Sequence, residues 1–260
     1  MDNSMKSFTA LYHSFLNSLQ ENWTISYGDD TTFFDCTFLL EVFDEVELPK
    51  EYALGVFRHE YTMHGAFTEG REYTHYPYVH LHGSNNVFTP KYCGYHDTHF
   101  KKVMRELYYW LNSKYSEKYL IKDDVYSDAL TKMISPITNY MKIPFTESGI
   151  LQGYFMYDLE CLLPTMGHAY YKHKRLLTCR DDVIRFLPQY HAEKATEIKS
   201  YTPIIHINNH EASIAFYCYQ DAEGVCQYTI KVRKEGDTLI FGNEKIVPII
   251  YDEMQTRVSL

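Results

Sequence analysis

Residues 213–233 read SIAFYCYQDAEGVCQYTIKVR. Ile214, Phe216 and Cys218 fall two apart. So do Cys226, Tyr228, Ile230 and Val232, with Gln227, Thr229, Lys231 and Arg233 at the intervening positions. Successive side chains of a strand point to opposite faces, so each run presents one face to a core and the other to a more polar environment. Asp221–Gly224 is the turn between them, and Glu235-Gly236-Asp237 is a second. Thr238–Phe241 and Lys245–Tyr251 complete a small antiparallel meander after Pro203.

Towards the N-terminus the period changes to that of a helix. Residues 148–163 and 165–177 read as two helices broken at Pro164, and Asp181 or Asp182 caps a short one ending before Pro188. Residues 189–199 read as a further turn or two. Asp123 or Asp124 opens a helix running towards Ser135-Pro136. Asp97 opens another, in which Phe100, Val103, Met104, Leu107, Tyr108 and Leu111 recur at helical spacing. At the chain start, Phe8, Leu11, Tyr12, Phe15, Leu16 and Leu19 mark one more amphipathic helix.

Between these helices lie four strand-like runs. They are Trp23–Tyr27, Phe33–Phe43, a run near Tyr52–Met63, and Tyr73–His82. In the second, Phe34, Cys36, Phe38, Leu40 and Val42 alternate across the whole segment. The predicted class is α+β: an N-terminal helix plus antiparallel β-meander, a helical middle and a small C-terminal antiparallel β-meander. The corresponding regions are 1–120, histidine-rich and acidic, 121–202, helical, and 203–260, the C-terminal meander. All three packing into one compact domain is the other arrangement this length allows.

The net charge of −9 is unevenly placed. Residues 1–100 hold five Lys/Arg (Lys6, Lys50, Arg58, Arg71, Lys91) against fourteen Asp/Glu, which already accounts for −9, so residues 101–260 balance to zero. An acidic half repels nucleic-acid phosphates and tolerates cations. The six cysteines are scattered without a C-x-x-C pair, and no run approaches the ~18 apolar residues of a membrane span. Reduced thiols in the cytoplasm, away from membranes, are therefore expected. No phosphate-binding glycine loop and no dinucleotide fingerprint is present, which removes those nucleotide chemistries. With 25 tyrosines, a tyrosine-rich surface suited to a protein partner is a second expectation.

Seven of the thirteen histidines fall between His59 and His99. At their centre is Tyr78-Val-His80-Leu-His82-Gly-Ser84, where the two imidazoles occupy same-face positions of a strand. Two neutral imidazoles hold a divalent ion such as zinc or manganese when one or two further ligands join them, and His96, Asp97 and His64 are the candidates. Gly83-Ser84-Asn85-Asn86 ends the strand. Val79 and Leu81 would pin it to the core, while Tyr78, His80 and His82 face solvent or a cleft.

The phrase His80-Leu81-His82 resembles the metal-binding motif of HUH-type endonucleases, which cut single-stranded DNA through a catalytic tyrosine. The resemblance covers these three residues and Tyr140-Met141-Lys142, placed about sixty residues downstream as that family places its tyrosine and lysine. It implies a metal at His80 and His82 and a nucleophile at Tyr140. The acidic first hundred residues depart from a DNA-nicking protein. A separate basic run, His168 to Arg175, interleaves Lys172, Lys174 and Arg175 with tyrosines, a composition that suits phosphate contacts. Together these features point to a phosphodiester- or nucleotide-directed hydrolase. His80, His82 and Tyr140 would do its chemistry, a divalent metal would polarise the phosphoryl group, and Lys172, Lys174 and Arg175 would hold a nucleotide or single-stranded nucleic acid. The alternative is a non-catalytic protein-interaction module.

Overall fold

The computed structural model describes residues 8, 10–15, 17, 33–64, 69–82, 87–88, 135–162, 174–187, 193, 196, 198–220 and 224–250. The expected strand at Trp23–Tyr27 and the helices after Asp97 and Asp123 or Asp124 lie outside these residues.

Phe8, residues 10–15 and Asn17 are helical (α1). Strands β1 (Phe33–Asp35), β2 (Tyr52–His64), β3 (Glu69–Leu81) and β4 (Val87–Phe88) form an antiparallel sheet in sequence order. Helix α2 (Glu147–Leu162) follows, then β5 (Arg175–Leu176) and the short helix α3 (Arg180–Phe186). The second sheet contains β6 (Ile204–Asn208), β7 (Glu211–Gln220), β8 (Gly224–Glu235) and β9 (Thr238–Ile250). Its β7–β8–β9 meander is antiparallel throughout, while β5 and β6 both pair along the remaining edge of β7. The α+β class is as the sequence predicts.

The meander's turns follow from backbone chemistry. Gly236 takes a φ of +60° in the two-residue link between Glu235 and Thr238, where the lack of a Cβ removes the steric cost. Asn209, at φ +52°, does the same between β6 and β7, asparagine being among the residues that tolerate this region. The alternating pattern of β7 is realised directly: Ile214, Phe216 and Cys218 are buried while Ser213, Ala215 and Tyr217 are half-exposed.

Three local expectations are corrected. The run at 33–43 is a strand only to Asp35. Thr37–Val42 is a 3-10 turn, opened by the Thr37 N–H donating to Asp35 Oδ1 at 2.8 Å. Leu39 within the turn and the flanking Cys36 and Phe43 are buried, a helical rather than a two-fold spacing. Eight of the eleven residues of that run are apolar, including Phe38, Leu39, Leu40 and Val42, so the pattern fits a helical turn as well as a strand. Arg175 and Leu176, expected in a helix, instead extend the C-terminal sheet by pairing with Tyr219 and Cys218. Helix α3 is capped by Cys179. Asp182 sits at the third helical position, where its carboxylate accepts from the Thr178 and Cys179 N–H groups at 2.7 and 3.2 Å.

Helix α2 has no solvent side along most of its length, Ile150 to Leu159 being buried apart from half-buried Tyr157. A helix buried all round must lie inside a fold, and this one packs against β3 of one sheet and against β6 and β9 of the other. Thr146 caps it, its Oγ1 accepting the Gly149 N–H at 3.0 Å and its hydroxyl donating to Glu45 at 2.7 Å. Phe155 is the hub, its ring within 6.3 Å of the rings of Phe8, Tyr12, Phe15 and Phe43. One apolar cluster thus runs from α1 through Leu54, Val56 and Val79 to Ile214, Phe216 and Ile230, joining all three regions named from the sequence. A smaller one under α3 gathers Leu177, Val183, Leu187, Tyr219, Val225 and Ile250. Among the described residues no helix is long and apolar enough to cross a membrane.

Candidate functional site

The register of β2 against β3 decides where the histidine pair lies. Tyr52, Ala53, Leu54 and Gly55 stand opposite Leu81, His80, Val79 and Tyr78. Directly opposed residues share a face, so Tyr52, Leu54, Val79 and Leu81 form one side and Ala53, Gly55, Tyr78, His80 and His82 the other. The first side is core, with Leu54 and Val79 fully buried. The second does not simply face solvent or a cleft. Tyr78 is buried with its ring over Gly55, where a Cβ would stand 2.4 Å from Cζ. His80 is 7% exposed and His82 is exposed. The strand therefore emerges from the interior along the motif itself, ending with the His82 N–H donating to the Glu51 carbonyl at 2.8 Å.

The two imidazoles meet edge to face, centroids 5.7 Å apart at 84°. With imidazole–zinc bonds of about 2 Å, two rings at this spacing are able to direct one nitrogen each at a common ion. Among the described residues no group of three or more His, Cys, Asp or Glu side chains converges to complete such a site. His64 closes the far end of the hairpin opposite Glu69, eleven residues along β2 from Ala53. At about 3.3 Å per residue that is roughly 36 Å from His80, beyond any shared ion. His96, Asp97 and Lys172 lie outside the described residues.

Tyr140 ends a 3-10 turn, Ile137–Tyr140, that lies against β3. It is half-buried and tilts against Tyr52, centroids 5.6 Å apart. By the register, Tyr52 belongs to the core side of the hairpin, opposite the face carrying His80 and His82. Burial pushes the Tyr140 phenol above its ordinary range, against the opposing effect of a hydrogen bond with Ser135. That is the reverse of what activates a phenolic nucleophile.

Lys174 differs most from its expected place in a basic surface patch. Its side chain is 13% exposed, and its ammonium lies 2.6 Å from each of Asp158 Oδ1, Glu244 Oε1 and the Tyr154 hydroxyl. These partners match its three N–H donors. The rings of Tyr228, Tyr154 and Phe216 surround it at 5.0, 5.3 and 5.8 Å. Desolvation disfavours its charge, but the carboxylates of Asp158 and Glu244 outweigh it and hold its pKa well above the ordinary lysine value. The cluster joins α2, the approach to β5, and β9. Sequence reasoning overlooked Asp158 and Glu244, although an acid such as Asp158 among the apolar residues of α2 is the signal that asks for a buried partner. Arg175 points outward with its guanidinium 5.0 Å from the centre of the Phe186 ring. The two cations expected to cooperate thus diverge to opposite faces of the sheet.

The tyrosines are also internal. Every tyrosine whose side chain is described is buried or half-buried, stacked in pairs such as Tyr157 with Phe241 and Tyr228 with Phe216. A cleft of about 580 Å³ is lined by Asp44, Glu47, Lys142, Phe145, Lys234 and Asp237, and another opens on the outer face of the C-terminal sheet. The second, of about 480 Å³, is lined by His206, Asn208, Ser213, Lys231, Arg233 and Gly242. It exists because small residues (Ser213, Gly242) form the floor while longer side chains of neighbouring strands rise around it. His206, Asn208, Lys231 and Arg233 are exposed, and no described element covers them. The acidic stretch after the 3-10 turn is held by α2: the Asp44 and Glu45 N–H groups both donate to Gln152 Oε1, at 3.1 and 2.9 Å.

Fold and surface thus define an α+β protein with two antiparallel sheets on a central helix, an edge-to-face histidine pair and an open sheet face. Comparison of the chain with protein-family models, curated proteins and solved structures gives no match.

Proposed function

We propose that the protein is a non-catalytic interaction module that receives a protein partner on the outer face of its C-terminal sheet. The observation that carries this reading is the uncovered cleft between His206, Ser213, Lys231 and Arg233, on a sheet whose other face holds the buried Ala212, Ile214, Phe216, Tyr228, Ile230 and Val232. A meander with the small residues Ser213 and Gly242 among exposed polar side chains suits recognition, because His206, Asn208, Lys231 and Arg233 are exposed and able to contact a partner. The separation of the expected catalytic groups supports it too: Tyr140 contacts the other side of the hairpin, His64 is strand lengths away, and Lys174 is bound internally.

The test fills the cleft without touching the core. Ser213→Trp with Lys231→Glu is expected to leave thermal stability within about 1 kcal/mol, as surface changes usually do, and to abolish retention of partners recovered with the wild-type chain. Equal retention by both proteins would sink the reading. A second reading, a metal-dependent phosphodiester hydrolase, is favoured by one observation, the 5.7 Å spacing of His80 and His82. Elemental analysis of wild-type protein and His80→Ala/His82→Ala decides it. Near-stoichiometric zinc or manganese lost only in the variant, with phosphodiester turnover lost alongside, would displace the interaction reading.

A further inference from the structure

Cys218 of β7 and Cys226 of β8 are directly opposed in the strand register. Opposed residues share a face, and this pair lies on the inner one, between Phe216 and Tyr228 and the end of the hairpin. Both side chains are thiols, and both are fully buried. Opposed Cα atoms of an antiparallel pair stand about 4.5 or 5.5 Å apart, and a disulfide spans either distance. The Cβ atoms, about 4.5–5.5 Å apart, need to close by no more than about 1 Å. The β8–β9 ladder is weakened at the same point. There Cys226 stands opposite Pro248 at a register shift, and proline has no N–H to give the ladder. The other described cysteines lie on other elements, Cys36 before the 3-10 turn and Cys179 at the start of α3.

We propose that Cys218 and Cys226 are an oxidative modification site, a dithiol that closes to a cross-strand disulfide and locks β7 to β8. The oxidant is a peroxide. One thiolate attacks the O–O bond, becomes a sulfenic acid and releases the other oxygen as water. The sulfur of the second cysteine then displaces water from the sulfenic sulfur. With hydrogen peroxide, two S–H bonds and the O–O bond break and one S–S bond forms. The two sulfurs are oxidised, and the peroxide leaves as two water molecules carrying the thiol protons. Burial raises the Cys218 pKa against the opposing charge of Lys174, so the thiolate is scarce while the hairpin is closed. Cys218–Cys226 is the third pair from the end of the ladder, after Gln220–Gly224 and Tyr219–Val225. Opening at that end therefore admits peroxide to both sulfurs without unfolding the sheet. Once formed, the disulfide ties that end shut. The reduced hairpin opens there and the oxidised one does not. The lock is independent of what the outer-face cleft binds.

The test uses the full chain with Cys179→Ser, which removes the exposed thiol and keeps a capping side chain. The folded protein is treated with hydrogen peroxide, its remaining thiols are alkylated in denaturant, and it is digested without reductant. Cleavage after Glu211, Glu223 and Glu235 separates the two cysteines. The expected product is residues 212–223 joined to residues 224–235, and reduction should part them. Amide exchange at Tyr217, Tyr219 and Val225 is expected to slow about tenfold or more on oxidation. Full recovery of alkylated Cys218 and Cys226 from the treated folded protein overturns the proposal. So does a link that forms only in urea, where nearness along the chain is enough, or a link that leaves the exchange unchanged.

Discussion

At the scale of single residues, the strongest chemistry is the lysine cage. Lys174→Met leaves Asp158 and Glu244 buried without their cation, and is expected to cost about 3–5 kcal/mol in urea unfolding. Replacing Asp158 and Glu244 by Leu in the same protein should recover most of that, since a buried ion cluster and a well-packed apolar one are often of similar stability. The pH dependence has a defined sign. Because the native lysine pKa is raised, its contribution is complete below the unfolded value near pH 10.4 and is lost as pH rises through the native one. The stability difference between wild type and Lys174→Met should therefore narrow only in strong alkali. Asp182 works at the other end. Burial pushes its carboxyl up, but hydrogen bonds from Thr178 and Cys179 hold it below its ordinary value. Its contribution is present above about pH 4 and lost as pH falls through the native value, so the deficit of Asp182→Asn should fade in acid titrations. The thiols divide similarly: Cys179 is exposed, whereas burial pushes Cys36 up to about 12 and raises Cys218. Peptide mapping after brief alkylation of native protein should find Cys179 labelled long before Cys36, Cys218 or Cys226.

At the scale of elements, the β2–β3 hairpin and helix α2 bear the argument. Gly55 is where the hairpin accepts the Tyr78 ring, and Gly55→Ala must displace that ring from a closed site. The expected cost is about 1–3 kcal/mol, read from thermal unfolding, with a changed His80–His82 environment visible in imidazole NMR signals. The hairpin also explains why the histidine motif was only half legible. Same-face placement follows from strand alternation, whichever way the face looks. That His80 is covered while His82 is open depends on what lies over Ala53 and Gly55, and on a strand ending exactly there no local pattern reports it. The 3-10 turn at Thr37–Val42 makes the same point, since a run with apolar residues at eight of eleven positions accommodates both a two-fold and a helical spacing. By contrast, β8 places Gln227, Thr229, Lys231 and Arg233 between Cys226, Tyr228, Ile230 and Val232, and that alternation identified its two faces correctly.

At the scale of the whole molecule, the shared core makes a prediction about cooperativity. Phe155 contacts α1 and Phe43 from within the helix between the sheets, so Phe155→Ala should cost about 3–5 kcal/mol and lower protection of both sheets together in hydrogen exchange. Two separable transitions would show instead that the regions named from the sequence fold independently. What the sequence alone determined is the α+β class, the alternation of β7 and β8, and the same-face placement of His80 and His82, whereas strand β6 and the continuity of β9 from Thr238 to Ile250 were not legible in it. The three legible features follow from periodicity and turn chemistry, which act between residues close in the chain. Only the tertiary structure decided that Lys174 is an internal cation, that Tyr140 packs on the opposite side of the hairpin from the histidines, and that the described tyrosines are buried or half-buried while the described outer sheet face stays open. Those outcomes depend on partners far away in sequence, Asp158 and Glu244 for Lys174 and Tyr52 for Tyr140. Burial and charge pairing are properties of the assembled neighbourhood, which no local spacing encodes.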